Sequence, residues 1–254
     1  MTGHVYVSQL LTDRAMAALH ELGHPLVVGQ ERPPTREELL RDVAGAVAVV
    51  CTLTDPVDAD VLDAAGRQLR IVANVAVGYD NIDVPALHER GVVVTNTPGV
   101  LDDATADLTM GLILAAARRI PEGDRFLRRE TPWIWGPRMM VGLDLSAGAT
   151  LGIVGYGRIG RAVARRARAF GMRMLATPSR ARVWDADADQ VTFVELEELL
   201  AESDVVTLHV PLTPETRGLV NEARLKLMRK NGVILNFARA PIVETNSSSP
   251  SVGT

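Results

Sequence analysis

The sequence predicts an α/β fold made of two doubly wound parallel-sheet domains. Three observations carry this. Short apolar, β-branched runs alternate with helical patterns from one end of the chain to the other. The alternation restarts after residue 149. A glycine-rich turn, LGIVGYGRIGR at residues 151–161, stands between a strand-like run and a helix-like one. Strands alternating with helices require right-handed crossovers, hence a mostly parallel sheet covered on both faces.

The elements follow in order. Residues 5–7 read as a strand and 13–22 as a helix, with Met16, Leu19 and Leu22 at helical spacing. Strands are predicted at 46–51, 71–74 and 92–95, with helical stretches at 36–43, 57–65 and 84–90. Residues 103–119 form a long helical pattern with an Ala-rich face that leads out of the first unit. The second series gives a strand at 150–154, a helix at 159–170 and a strand at 173–176. A strand–helix unit from Val191 to Leu200 and strands at 205–208 and 233–236 complete it. The domains are therefore drawn at 1–99 and 100–244. The tail at 245–254 reads TNSSSPSVGT, too polar and Ser-rich to join a core, and is expected to be disordered.

Composition narrows the function classes. A chain of 254 residues, 47% hydrophobic, buries a core without disulfides or a structural metal. The single cysteine, Cys51, excludes a disulfide framework and a multi-cysteine zinc site, and reads as a buried small hydrophobe. No His/Cys/Asp/Glu cluster has ligand spacing on one element, so no metal is expected. A net charge of −4 argues against a nucleic-acid binder, and Arg161, Arg165, Arg166 and Arg168 read as a solvated helix face. The N-terminus shows no basic segment followed by an apolar core, and no run reaches the ~18 apolar residues of a membrane helix. A cytoplasmic protein is the expectation.

The glycine turn carries the chemistry. Gly155, Gly157 and Gly160 have the spacing G-x-G-x-x-G, after an apolar strand and at the opening of a helix. Gly155 permits the tight turn, Gly157 lets the backbone approach a pyrophosphate, and Gly160 lets helix and strand pack closely. The helix N-terminus, at Arg158 and Ile159, then presents amide donors and a partial positive charge, to which Arg158 adds a formal cation. An NAD site usually places an acid about 20 residues beyond the glycines, to bind the ribose 2′-OH. Residues 172–182, MRMLATPSRAR, contain none. Pro178 stands near the acid's place, followed by Ser179, Arg180 and Arg182, a hydroxyl and two guanidiniums that suit a 2′-phosphate. NADP is the expected cofactor. NAD is the alternative, with Asp185 or Asp187 reaching the ribose.

Several segments resemble the D-isomer-specific 2-hydroxyacid dehydrogenases, in particular the glyoxylate/hydroxypyruvate reductase branch. They are VANVAVGYDNID (72–83), TNTPGVLDDATADL (95–108), TLGIVGYGRIGRAVARRARAFGM (150–172), SDVVTLHVPLTPETRGLVN (203–221) and LKLMRKNGVILNFARAPIVE (225–244). The resemblance covers residues 4–244. It implies a flavodoxin-like substrate domain, a Rossmann cofactor domain and an active site between them. It puts the carboxylate cradle on the backbone of Val77 and Gly78, where glycine allows close approach to an anion. Thr105 matches a contact near the nicotinamide end. His209, Pro211 and Thr216 match the loop lining the dinucleotide crevice. Phe237, Ala238 and Arg239 match the next loop, with Arg239 on the catalytic arginine, which pairs with the substrate carboxylate and polarises the C2 carbonyl.

Departures are visible too. A dinucleotide sheet of this winding commonly has six strands, and five are read here, so the second domain is expected to lack its last strands. The family's catalytic glutamate and histidine would fall beyond residue 244, so impaired turnover, poor solubility and an open edge at the fifth strand are expected. Ala240 replaces the family's usual glycine, and the turn at 146–149 is one residue longer than the family's usual turn. Of the histidines, His4, His20, His24 and His88 read as solvated, and His209 as a cofactor-side or packing residue rather than a surrogate acid. The implied reaction is reduction of a small 2-oxo acid, glyoxylate or hydroxypyruvate, to the 2-hydroxy acid. A non-catalytic dinucleotide-binding or dimer-forming remnant is the alternative. The long helix at 103–119 and the segment with Trp133 and Trp135 are expected to form a homodimer contact.

Overall fold

The structure, a computed structural model, describes residues 3–129, 132, 134–178 and 190–244. The chain divides into two compact units, Met1–Val100 and Leu101–Thr254.

In the first unit the chain alternates β1 (His4–Val7), α1 (Asp13–His20), β2 (Leu26–Val28), α2 (Arg36–Asp42), β3 (Ala46–Cys51), α3 (Ala59–Ala65), β4 (Ile71–Asn74), α4 (Val84–Glu89) and β5 (Val93–Thr95). The strands are all parallel in the order β2-β1-β3-β4-β5, the doubly wound order of flavodoxin-like sheets. Three helices begin on side-chain caps. Thr35 and Glu38 form a capping box at α2, Asp58 accepts from the Val61 amide at α3, and Asp83 accepts from the Ala86 amide at α4. Tyr6, Val49, Val61, Leu62, Val72 and Leu87 meet in the core. Cys51 is fully buried at the end of β3, and burial pushes its thiol up to about 12, which leaves it unreactive.

The second unit begins with two helices, α5 (Asp102–Ala117) and α6 (Ile120–Arg128). There follow β6 (Thr150–Val154), α7 (Arg158–Arg168), β7 (Arg173–Ala176), β8 (Val191–Phe193), α8 (Leu196–Glu202), β9 (Val205–Leu208), α9 (Glu222–Leu225), β10 (Val233–Asn236) and a 3₁₀ turn, Ala240–Ile242. The parallel sheet runs β10-β9-β6-β7-β8. From central β6, the chain winds outward through β7 and β8, then returns to lay β9 and β10 on the other side. The crevice outside the carboxyl ends of β6 and β9 is the topological switch point, where open α/β sheets bind ligands.

Both faces of this sheet are covered. Ile113 of α5 and Val163 of α7 pack with Leu151 and Ile153 on one face. Leu199, Leu200, Val206, Leu208 and Ile242 pack on the other. The helix read at 103–119 ends two residues earlier, at Ala117, and a second helix that the sequence reading did not include follows it. Arg119 turns into the left-handed region at φ 54, and Pro121 opens α6, because proline fits a helix's first turn but not its interior. Among the described residues, no helix is long and apolar enough to cross a membrane.

Candidate functional site

The glycine turn leaves β6 directly. Gly155 has φ 95, a conformation that side chains rarely adopt, and a Cβ there would stand 2.7 Å from Val210 Cγ1. Its amide donates to Thr177 Oγ1 (2.9 Å), while Thr177 donates its own amide to Ile153 O (3.0 Å). The end of β7 thereby fixes the turn. A Cβ on Gly160 would run into Gly155 O and reach Ile153 Cγ2 at 3.0 Å, so glycine alone lets α7 lie this close to β6. Gly157 differs. It is the N-cap of α7, without a side-chain cap bond, and a Cβ there would meet nothing within 4 Å. Arg158 beside it is exposed and Ile159 packs against the core. The open side of Gly157 and the uncapped first turn of α7 fit an anionic group lying against the backbone.

The neighbouring strands bring three residues to the same edge. His209 follows β9, and its amide donates to Val154 O at 2.8 Å. Phe237 follows β10, its amide donating to Leu208 O at 3.2 Å. The two rings stack with centroids 5.9 Å apart and planes 19° apart. A Cβ on Gly155 would stand 3.0 Å from the His209 carbonyl, so turn, histidine and phenylalanine form one wall. Both imidazole nitrogens are buried without a hydrogen-bond partner among the described residues, and burial holds the ring down at about 4. His209 is therefore neutral near pH 7 and is no proton donor there.

The loops beyond are internally braced. Thr216 Oγ1 donates to Pro211 O at 2.6 Å and accepts from the Thr213 amide at 2.8 Å, which closes the loop after β9. Asn236 accepts from the Ala238 amide at 2.9 Å and donates to Arg239 O at 2.8 Å. The half-buried Arg239 donates through Nη1 to Ala238 O at 3.0 Å. Thr105 is half-buried in the first turn of α5, its carbonyl accepting from Thr109 Oγ1 at 2.8 Å.

In the first unit, Val77 and Gly78 lie in the loop after β4, both half-buried. Asn74 Nδ2 donates to Gly78 O (2.8 Å) and Asn96 Nδ2 to Val77 O (2.9 Å). Asn81 Nδ2 donates to Thr52 O (3.0 Å) and Asp55 O (2.9 Å), tying this loop to the one after β3.

The family model for the D-isomer specific 2-hydroxyacid dehydrogenase NAD-binding domain matches residues 110–247. The chain belongs to the D-isomer specific 2-hydroxyacid dehydrogenase family. The dehydrogenase is 46% identical over 246 residues to a glyoxylate reductase of Korarchaeum cryptofilum, covering 96% of this chain and 73% of that protein. It is 47% identical over 252 residues to a glyoxylate reductase of Thermococcus kodakarensis, covering 97% and 75%. A crystal structure of a Thermus thermophilus protein superposes with a TM-score of 0.87 at 45% identity, over 95% of this chain and 75% of that one. The protein is thus an oxidoreductase with a nicotinamide-dinucleotide-binding domain.

Within this dehydrogenase, Gly155, Gly157, Arg158, Ile159 and Gly160 form one turn, with His209 and Phe237 beside it. Thr105, Pro211, Thr216, Ala238 and Arg239 belong to the same unit, whereas Val77 and Gly78 belong to the other. Pro178 is described, while Ser179, Arg180, Arg182, Asp185, Asp187, Trp133 and the tail at 245–254 lie outside the described residues. Sequence reasoning missed Thr177, Asn74 and Asn96. Each is an ordinary polar residue at or just past a strand end, a position that was readable, but their partners depend on strand order. Among the described residues, no three His, Cys, Asp or Glu side chains gather where a metal ion fits.

Proposed function

We propose that this dehydrogenase reduces small 2-oxo acids of the glyoxylate and hydroxypyruvate type to 2-hydroxy acids, with NADPH preferred over NADH. The observation that carries the reading is the open, uncapped α7 terminus behind Gly157, flanked by the buried, unpartnered nitrogens of His209. The glycine turn and the Arg158–Ile159 amides hold the pyrophosphate, and His209 offers one donor and one acceptor to the dinucleotide. The dinucleotide, when bound, would supply the hydride, and solvent water the proton that turns the resulting C2 alkoxide into the hydroxyl. Arg239 pairs with the substrate carboxylate and polarises the C2 carbonyl, while the Val77 and Gly78 amides hold the carboxylate. Thr105, Pro211, Thr216, Phe237 and Ala238 line the dinucleotide's path. Both names of the curated relatives, glyoxylate reductase, support the substrate class.

The NADPH preference rests on sequence, since residues 172–182 hold no acid while Ser179 and Arg180 suit a 2′-phosphate. We also assign a homodimer to the α5 region. Fluorescence titration with NADPH and NADH tests the cofactor assignment. NADPH binds more tightly, and Arg180→Ala weakens NADPH selectively by roughly 1–3 kcal/mol, the worth of a hydrogen bond to a charged group. Equal affinities would overturn the preference; binding of neither would overturn the function.

A further inference from the structure

We propose that Asn96 and Asn74 are positioning residues for the substrate carboxylate, turning the Val77 and Gly78 amides outward by holding their neighbouring carbonyls inward. The proposal rests on the reading that those two amides bind the carboxylate.

Three successive carbonyls are engaged by the first unit itself. Ala76 O accepts from the Thr97 amide at 3.0 Å, and Val77 O accepts from Asn96 Nδ2 at 2.9 Å. Gly78 O accepts from Asn74 Nδ2 at 2.8 Å. None of the peptide bonds is cis. In a planar trans peptide the N–H points opposite to the C=O of the preceding residue. Because Ala76 O and Val77 O both face the adjacent residues Thr97 and Asn96, the amides of Val77 and Gly78 both face away from them. Neither amide donates to any group among the described residues. Half-buried backbone donors without partners are uncommon, and two in succession aimed the same way form a concavity for an anion.

The third carbonyl locks the arrangement. With Gly78 O held by Asn74, the Gly78 unit cannot pivot about its neighbours. Asn74 is itself fixed, buried at the end of β4 with its Oδ1 facing Cys51 Sγ at 3.5 Å and its Nδ2 also near Asn81 Oδ1 at 3.4 Å. The clamp thus comes from two strand ends, β4 through Asn74 and β5 through Asn96 and Thr97. Asparagine suits the task chemically. Its amide nitrogen donates without formal charge, so it neither draws the substrate carboxylate off the backbone donors nor repels it.

The test is an oxalate titration of the full chain with NADPH present, followed by the ¹⁵N–¹H resonances of Val77 and Gly78. Both resonances shift in the unaltered protein. Asn96→Ala and the nearly isosteric Asn96→Asp each weaken oxalate binding by about five- to tenfold or more, the scale of one neutral hydrogen bond. NADPH affinity and melting temperature stay at the unaltered values. Oxalate affinity unchanged in both variants overturns the positioning role, as does a parallel loss of NADPH affinity and melting temperature, which marks general damage. Resonances unmoved by oxalate in the unaltered chain instead overturn the carboxylate reading, and the proposal with it.

Discussion

Gly157 and Gly160 stand one helical turn apart and answer to opposite constraints. An alanine methyl at 157 meets empty space, whereas one at 160 meets the backbone oxygen of Gly155, which cannot yield as a side-chain end would. Gly157→Ala should therefore melt like the unaltered protein but bind dinucleotide at least tenfold more weakly. Gly160→Ala should lose roughly 1–3 kcal/mol of stability from overpacking. Urea unfolding and dinucleotide titration on both variants separate the two, and a destabilised Gly157→Ala with normal binding would contradict the cradle. The G-x-G-x-x-G turn was legible in the sequence because its spacing falls between an apolar strand-like run and a helix-like one. The stack of His209 on Phe237 was not, since it exists only because β10 lies beside β9. The burial of His209 sets a pH dependence. Burial lowers the folded-state imidazole to about 4, below the 6.5 of an exposed ring. Between these values the unfolded chain binds the proton and the folded one does not, so stability falls as pH drops from 6.5 towards 4. The loss is on the order of 3 kcal/mol at its fullest. His209→Leu should flatten this limb of melting temperature against pH, and an unchanged slope would show that other groups control it.

At the scale of elements, α5 and α7 are joined both by apolar packing and by ion pairs. Arg166 donates to Asp107 at 2.6 Å and to Asp103 at 3.0 Å, but both aspartates are largely exposed. Exposed pairs contribute about 0–1 kcal/mol each. Ile113, fully buried between α5 and the sheet, should matter more, since truncating such a residue to alanine costs about 2–5 kcal/mol. Denaturant midpoints of Ile113→Ala and Arg166→Ala should rank in that order, and the reverse would mean the charges dominate the contact. The strands with clear β-branched runs, such as β3 with AVAVVC, were readable because burial on both faces leaves nearly continuous apolar sequence. β2 was not. Its three residues, LVV, lie between His24-Pro25 and Gly29, which reads as turn, and it pairs with β1 at the sheet edge. A short edge strand leaves no periodicity to detect.

At the scale of the whole molecule, α5 is apolar on two sides. Ala106, Met110, Ile113 and Ala117 face the core. On another side Ala104, Leu108, Leu112 and Ala116 recur every fourth residue and are exposed, Leu108 at 58% and Leu112 at 43%. A helix apolar nearly all round is ordinarily buried all round. The same unit exposes Ile120, Leu127, Ile134 at 77% and Trp135 at 74%, a density of large apolar side chains that marks an interaction surface. A second copy of the chain is the occupant we assign, and self-association through one patch closes as a two-fold dimer. Light scattering at micromolar concentration should then give twice the chain mass. Melting temperature should rise with protein concentration, because association stabilises the folded state by mass action. The double substitution Leu108→Glu with Leu112→Glu places charges on the exposed side only, away from Met110 and Ile113. It should halve the mass and remove the concentration dependence while leaving dinucleotide binding by the glycine turn intact. A monomer from the unaltered chain at tens of micromolar, or a dimer that survives both glutamates, would rule this surface out as the contact.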